Sequence, residues 1–326
     1  MPTPTQSDLH INAPLTNVSI AYLQSASTYI ADKVFPKVPV KKQSDLYWKY
    51  SKSDWRRTDV ARRAPSTETP GVGWNVTTEQ YFAHVYGVHK DIDDQLRSNA
   101  DSNFNLDRDA TEFITNQLLL KRDLDWNDKY FKSGVWNTDY AGGTDFSKWS
   151  EAGSDPIGDV QKWIIDFRKL TGFAPNIMVL GAHTMSALKQ HPDIIDRIKY
   201  TQRGIVTEDL IATLFGVDEL YTSYATVATG PQKLDVITQD AAASYDFITN
   251  SKAAALYYAP SSPSLMTPSA GYTFTWNGYL GGNSEGIKVK RFRMEQIASD
   301  RVEAEMTYDM KVVASDLGVF IGDAVA

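Results

Sequence analysis

The sequence predicts an α+β chain whose two sheets are of mixed or antiparallel pairing rather than doubly wound. Three observations lead there. Residues 106–131 carry the pattern of one long amphipathic helix, residues 45–51 and 74–86 alternate like two strands of a ribbon, and residues 287–294 and 301–313 alternate again near the end. Apolar, β-branched and aromatic residues at every second position mark strands, whereas steps of three and four mark a helix.

In chain order, residues before about Asn17 are polar and proline-marked and read as an N-terminal arm. A short helix is expected over 18–31. The two prolines of 34–40 cannot continue it and favour extended backbone. A ribbon follows, its strands flanking a polar, basic segment, 55–65, that ends in the turn signal Pro70-Gly71. A two-stranded ribbon alone is marginal in water. With nothing obvious in its own chain to lie on, it is expected to be covered by another copy.

The long helix is expected to bury Leu106, Ala110, Phe113, Gln117, Leu120, Leu124 and Phe131. Asp107, Asp109 and Glu112 near its start and Lys129 and Lys132 at its end match the helix dipole, and Gly134 suits a stop. About 26 residues give a rod of roughly 40 Å. A boundary is placed in the Gly- and Trp-containing connection 133–156. Asp155 and Pro156 then cap and start a helix that stops at Gly172. A buried strand over 176–181 and a helix over 182–189 come next, followed by a break at His191-Pro192 and a further helix to Ile198. A capped helix over 207–215, a strand near 219–224, the two late strands and a final apolar run at 317–322 complete the plan. There is no internal repeat.

Composition bounds the function. Apolar content of 42% and charged content of 22% are ordinary for a globular chain. No apolar run approaches the ~20 residues of a membrane span. The first residues lack the basic start and apolar stretch of a signal peptide. The absence of cysteine fits assembly in a reducing cytoplasm. The net charge of −7 conceals an asymmetry: residues 41–63 hold eight basic and three acidic side chains, and residues 91–128 hold ten acidic and four basic. Complementary potentials of this kind fix register and partner choice across interfaces, although two solvated faces would have the same composition.

Residues with catalytic or ligating potential are scattered. No phosphate-binding loop or nucleophile elbow is present, and Gly142-Gly143 and Gly281-Gly282 lack the lysine a phosphate cradle needs. His84 and His89 fall on opposite strand faces. His183 and His191, with Asp193 or Asp196, form a weak metal pattern, more often a cap or surface contact. Asp91, Asp93 and Asp94 lack the glycine and distal glutamate of a calcium loop. Asp123, Asp125 and Asp128 are placed on the outer helix face, with Asp125 pairing Lys129. Arg56, Arg57, Arg62 and Arg63, with Trp48 and Trp55 as stacking platforms, could grip nucleic acid, but the patch is small and the chain acidic. No catalytic residue, cofactor or metal is assigned.

The segment Phe173-Ala-Pro-Asn-Ile-Met-Val-Leu-Gly-Ala-His-Thr-Met-Ser-Ala-Leu-Lys-Gln-His-Pro-Asp-Ile-Ile-Asp-Arg-Ile-Lys-Tyr-Thr201 resembles the tailed-bacteriophage major capsid proteins. So does Gly204-Ile-Val-Thr-Glu-Asp-Leu-Ile-Ala-Thr-Leu-Phe-Gly-Val-Asp-Glu-Leu220. The order of elements from about Asn17 onward is similar as well. The resemblance implies the Hong Kong 97-type capsid fold. Its parts would be an N-terminal arm (1–40), an extended loop (41–90), a peripheral domain (91–135 and 285–314, with the spine helix at about 106–131) and an axial domain (136–284 and 315–326).

The resemblance further implies a major capsid protein that self-assembles into hexamers and pentamers of an icosahedral head enclosing double-stranded DNA without reading its sequence. It would assemble in the host bacterial cytoplasm, not on a membrane. A scaffolding protein, a portal and a decoration protein are the implied partners. Residues 1–17 are too short for the helical scaffolding segment of the best-known member, and Lys49 and Lys52 sit in the ribbon without an asparagine or activating glutamate that can be matched to that member's crosslink, so none is assigned. The predicted subunit interface comprises Trp48, Trp55, Arg56, Arg57, Arg62, Arg63 and Trp74 of the loop against Asp123, Asp125 and Asp128 of the spine helix. An encapsulin-like cellular compartment and a soluble hydrolase using His183 are the alternatives.

Overall fold

The computed structural model describes residues 24–100, 105–198, 206–230, 243–264, 266–280 and 286–326. The arm before residue 24, Gly281-Gly282 and residues 199–205 of the family-like segment lie outside the described residues. Short helix α1 (Ala31–Val34) leads into β1 (Lys37–Val40), β2 (Ser44–Tyr50), β3 (Val76–Phe82) and β4 (His84–Asp93). After α2 (Asp94–Asn99) and the long α3 (Leu106–Tyr130) come β5 (Thr138–Ala141), α4 (Pro156–Thr171), β6 (Ile177–Gly181), α5 (Ala182–Gln190), α6 (Pro192–Ile198) and α7 (Glu208–Phe215). The strands β7 (Glu219–Ser223), β8 (Thr226–Thr229), β9 (Ser244–Phe247), β10 (Ala254–Tyr257), β11 (Gly271–Trp276), β12 (Ile287–Met294), β13 (Ser299–Val312) and β14 (Gly318–Gly322) follow.

Two five-stranded sheets result, both mixed. In the first sheet, β13 is antiparallel to β12, β4 and β11, and β1 lies parallel to β11 at the edge. Edge placement is what allows Pro39 in a strand, since an edge strand can forgo one donor. The second sheet runs β5-β14-β10-β6-β7. Its central strands are buried throughout, as expected for strands covered on both faces. β11 falls inside the 136–284 stretch but pairs with β13, and β4 starts inside the 41–90 stretch but runs along β13 as far as Asp93.

The helices beside the second sheet form where their signals stand. Asp155 accepts from Gly158 N at 2.8 Å, Pro156 opens α4, and Gly172 closes it at φ 82° in the left-handed region glycine favours. Between β6 and α5 the chain turns where a β-carbon on Gly181 would sit 2.4 Å from the Ser251 backbone. This close approach lets His183 N and Thr184 N both donate to Ser251 O at 3.0 Å. Thr207 precedes α7 but makes no side-chain cap, contrary to the capped helix expected there.

Helix α3 ends one residue before the expected 131, but the face it buries is different. Ala110, Ile114, Leu118, Arg122, Trp126 and Tyr130 are buried in rows of four, whereas Phe113 is half exposed and Leu120 and Leu124 are only partly covered. The reason is tertiary. Arg122 donates to Asp32, and the Asp123 carboxylate accepts from Ile30 N and Ala31 N, both at 2.9 Å. These bonds let two ionisable residues face the core, which periodicity alone scores as solvent-facing. The helix expected over 18–31 is, in its described part, only the turn Ala26–Thr28 before α1.

A hub of aromatic rings joins the two sheets. Trp126 of α3 meets Phe35 edge-on, with centroids 6.3 Å apart, and also meets Phe131 and Tyr257 of β10. Trp136 meets Phe35 and Tyr257 in turn. Edge-to-face pairs at such spacings add to the area they bury.

Burial pushes the Asp123 carboxyl up to about 6, against the two N–H groups and Arg122, which favour its charge; nearby Asp32 raises it further. Its folded value lies above the usual 3.8, so its contribution to stability is complete below about pH 3.8 and is lost as the pH rises through 6. The loss amounts to about 3 kcal/mol at neutral pH. Asp123→Asn keeps an acceptor for both N–H groups and removes the charge. Denaturant titrations of the unassembled subunit between pH 4 and 7.5 are expected to show the variant gaining on the natural chain as the pH rises. Parallel pH curves would mean that Asp123 is not the titrating group.

Candidate assembly interface

The ribbon β2–β3 is antiparallel, in register from Ser44 opposite Phe82 to Tyr50 opposite Val76. Because side chains alternate, its two faces differ. One carries Tyr47 and Tyr81, which lie on Phe274 of β11 with centroids 5.4 and 4.6 Å away. Glu79 ties this face together, accepting from Tyr47 Oη at 2.7 Å and Lys49 Nζ at 2.9 Å. Those two donors hold the Glu79 carboxyl below its usual range. The expectation that the ribbon finds no cover in its own chain is therefore corrected at its base.

The other face is bare. Leu46, Trp48, Val76 and Phe82 all point to it, and Trp48 is 66% exposed. At the tip, Trp55 and Trp74 lie 6.2 Å apart and Tyr50 meets Trp55 edge-on; both tryptophans are more than half exposed. Residues 55–78 are exposed throughout. A contiguous apolar patch of this kind, rimmed by charge, marks an interaction site on a folded protein.

The basic residues sit on the same tip. Arg57 pairs with Asp59 at 3.1 Å and Asp54 at 3.8 Å, Arg63 donates to Thr67 O, and Arg62 is exposed. Arg56 reaches back to Lys169 O and Leu170 O of α4, and Lys52 to Asp316.

The structure does not bring the acidic half of the predicted interface to one surface. Asp123 is 1% exposed and turned inward to α1. Asp125 accepts from Lys121 at 2.7 Å and from Tyr308 Oη at 2.6 Å, in place of the expected Lys129 pair. Among these three carboxylates only Asp128 is exposed, joined on the solvent side of α3 by Asp109 and Glu112. Tyr308 on the neighbouring strand is the signal that sequence reasoning missed.

The remaining candidates have structural partners. Asp91 forms a two-point pair with Arg301 and Asp94 with Arg293, which hold both carboxyls below their usual range, and Asp93 caps α2. His191 is buried, with Nδ1 accepting from Asp193 N at 3.3 Å. The proton is thereby left on Nε2, 3.1 Å from Ser154 Oγ. His183 pairs with Ser251 Oγ at 2.7 Å.

The sequence model of the family described as phage major capsid protein E matches residues 141–224, which hold α4 to α7 with β6 and β7. The major capsid protein of Burkholderia phage BcepMu is 31% identical over 230 residues, covering 68% of this chain and 72% of that protein. That of Pseudomonas phage JBD67 is 28% identical over 326 residues, 97% of each. Among solved structures, a phage-related protein from Bordetella bronchiseptica RB50 superposes with a TM-score of 0.68 at 22% identity, covering 91% of this chain and 93% of that one. The capsid of cyanophage P-SCSP1u does so at 0.63 and 10% identity, over 98% of each chain.

Proposed function

The chain belongs to the phage major capsid protein family and has the Hong Kong 97-type capsid fold, and from that premise we propose how it builds its shell. Copies assemble into hexamers and pentamers of an icosahedral head around double-stranded DNA, in the host bacterial cytoplasm, with a scaffolding protein, a portal and a decoration protein as partners. The ribbon of each subunit lies on the peripheral domain of the next. The bare face of Leu46, Trp48, Val76 and Phe82 carries this reading, because its own subunit leaves it wet.

The receiving surface is the solvent side of α3 around Asp109, Glu112 and Asp128, which offers charge opposite to the arginines of the tip. Each subunit would share interfaces of about 2,000–5,000 Å² or more. A net charge of −7 suits a container wall that holds packaged DNA loosely. No catalytic role is assigned, since the family it belongs to is one of structural shell proteins. The viral reading is favoured over a cellular compartment because both curated relatives named above are phage major capsid proteins.

Light scattering and negative-stain imaging of the purified chain test the assembly. Closed shells or capsomers are expected to grow in with concentration. A monodisperse monomer at every concentration would contradict the reading.

A further inference from the structure

The ribbon tip touches its own axial domain at one place. Lys52 Nζ meets Asp316 Oδ2 at 2.5 Å, and Arg56 donates to Leu170 O at 2.5 Å and Lys169 O at 3.1 Å. Those carbonyls lie in the last turn of α4, where a helix leaves acceptors unpaired and its dipole favours a cation. The guanidinium lies beside Gly172, which closes the helix at φ 82°. The contact is wholly polar and solvent-exposed, while Trp48, Trp55 and Trp74 beside it stay uncovered.

We propose that this contact is a latch. It holds the ribbon against its own subunit before assembly and opens when the ribbon moves to a second copy. The inference rests on reading the ribbon as the docking arm. Its chemistry suits a reversible hold, because exposed ion pairs are weak and screened by salt, whereas an apolar clasp would trap the arm. Asp316 lies outside the ribbon, so the latch can be loosened without altering the docking face.

The chain has no cysteine, so Lys52→Cys with Asp316→Cys can be bridged in the unassembled subunit by a cleavable bis-maleimide. Bridged subunits are expected to link within one chain and to form no shells until the linker is cut. Normal shells from bridged subunits, or failure to bridge within a chain, would overturn the latch. Separately, Asp316→Asn is expected to lower the concentration at which shells appear by about 1.4- to five-fold, the range of one exposed pair. An unchanged or raised threshold also counts against it. If the docking reading itself were wrong, Trp48→Ser subunits would assemble normally. If only the latch is wrong, Trp48→Ser blocks shells while bridged subunits still assemble.

Discussion

Reversing Arg56, Arg57, Arg62 and Arg63 to glutamate is expected to abolish shell formation while leaving a folded subunit. The four side chains lie on an exposed tip, and none supports the core. Folding should change little, because surface substitutions away from buried features rarely matter by more than about 0.5 kcal/mol. Docking should change greatly, because like charges placed together across an interface cost several kcal/mol. Arg56 would also lose its two carbonyls on α4, which frees the tip and so makes a failure to assemble the more telling. Circular dichroism of the soluble fraction and electron microscopy of the assembly reaction separate the two effects. Normal shells would remove charge from the docking argument. Raised salt should weaken the natural contact in the same direction.

Trp126→Ala is expected to destabilise the subunit by about 3–5 kcal/mol, the range for emptying a buried tryptophan site. The indole is fully buried and is shared by α3, by Phe35 in the chain leading to β1, and by Tyr257 of β10 in the second sheet. Loss of the ring therefore loosens the junction of both sheets as well as one helix. Its Nε1 has no acceptor among the described residues, so Trp126→Phe forfeits none of their hydrogen bonds and should cost much less. Guanidinium denaturation of both variants checks this order, and a loss below about 1 kcal/mol for the alanine variant would contradict the hub.

What could be read from sequence depended on where each residue's partner lay. Asp155, Pro156 and Gly172 act within a few residues of themselves, so α4 was legible. Alternation alone marked β2 and β3, and the ribbon formed close to its expected place. The buried side of α3 was not legible, because Arg122 and Asp123 point inward only by virtue of Asp32 and the α1 backbone, some ninety residues earlier. Distant partners likewise take Asp123 (the α1 backbone) and Asp125 (Tyr308) off the outer face expected for them, where Asp128 stands exposed. β10 and β11 went unassigned since four to six residues carry little pattern, and their pairing with β6 and β13 is long-range. The exposure of Trp48 and Trp74 followed from the ribbon's shape, whereas the seat of Tyr47 and Tyr81 on Phe274 did not.

The central claim is that a bare face of the ribbon is completed by a second copy of the chain. The most direct measurement places a photoactivatable phenylalanine analogue at position 48 and maps its adducts by mass spectrometry in assembled shells grown from mixed isotope-labelled and unlabelled subunits. Adducts joining labelled to unlabelled chains, on peptides of the peripheral domain, are predicted. Adducts confined to single chains would contradict the account.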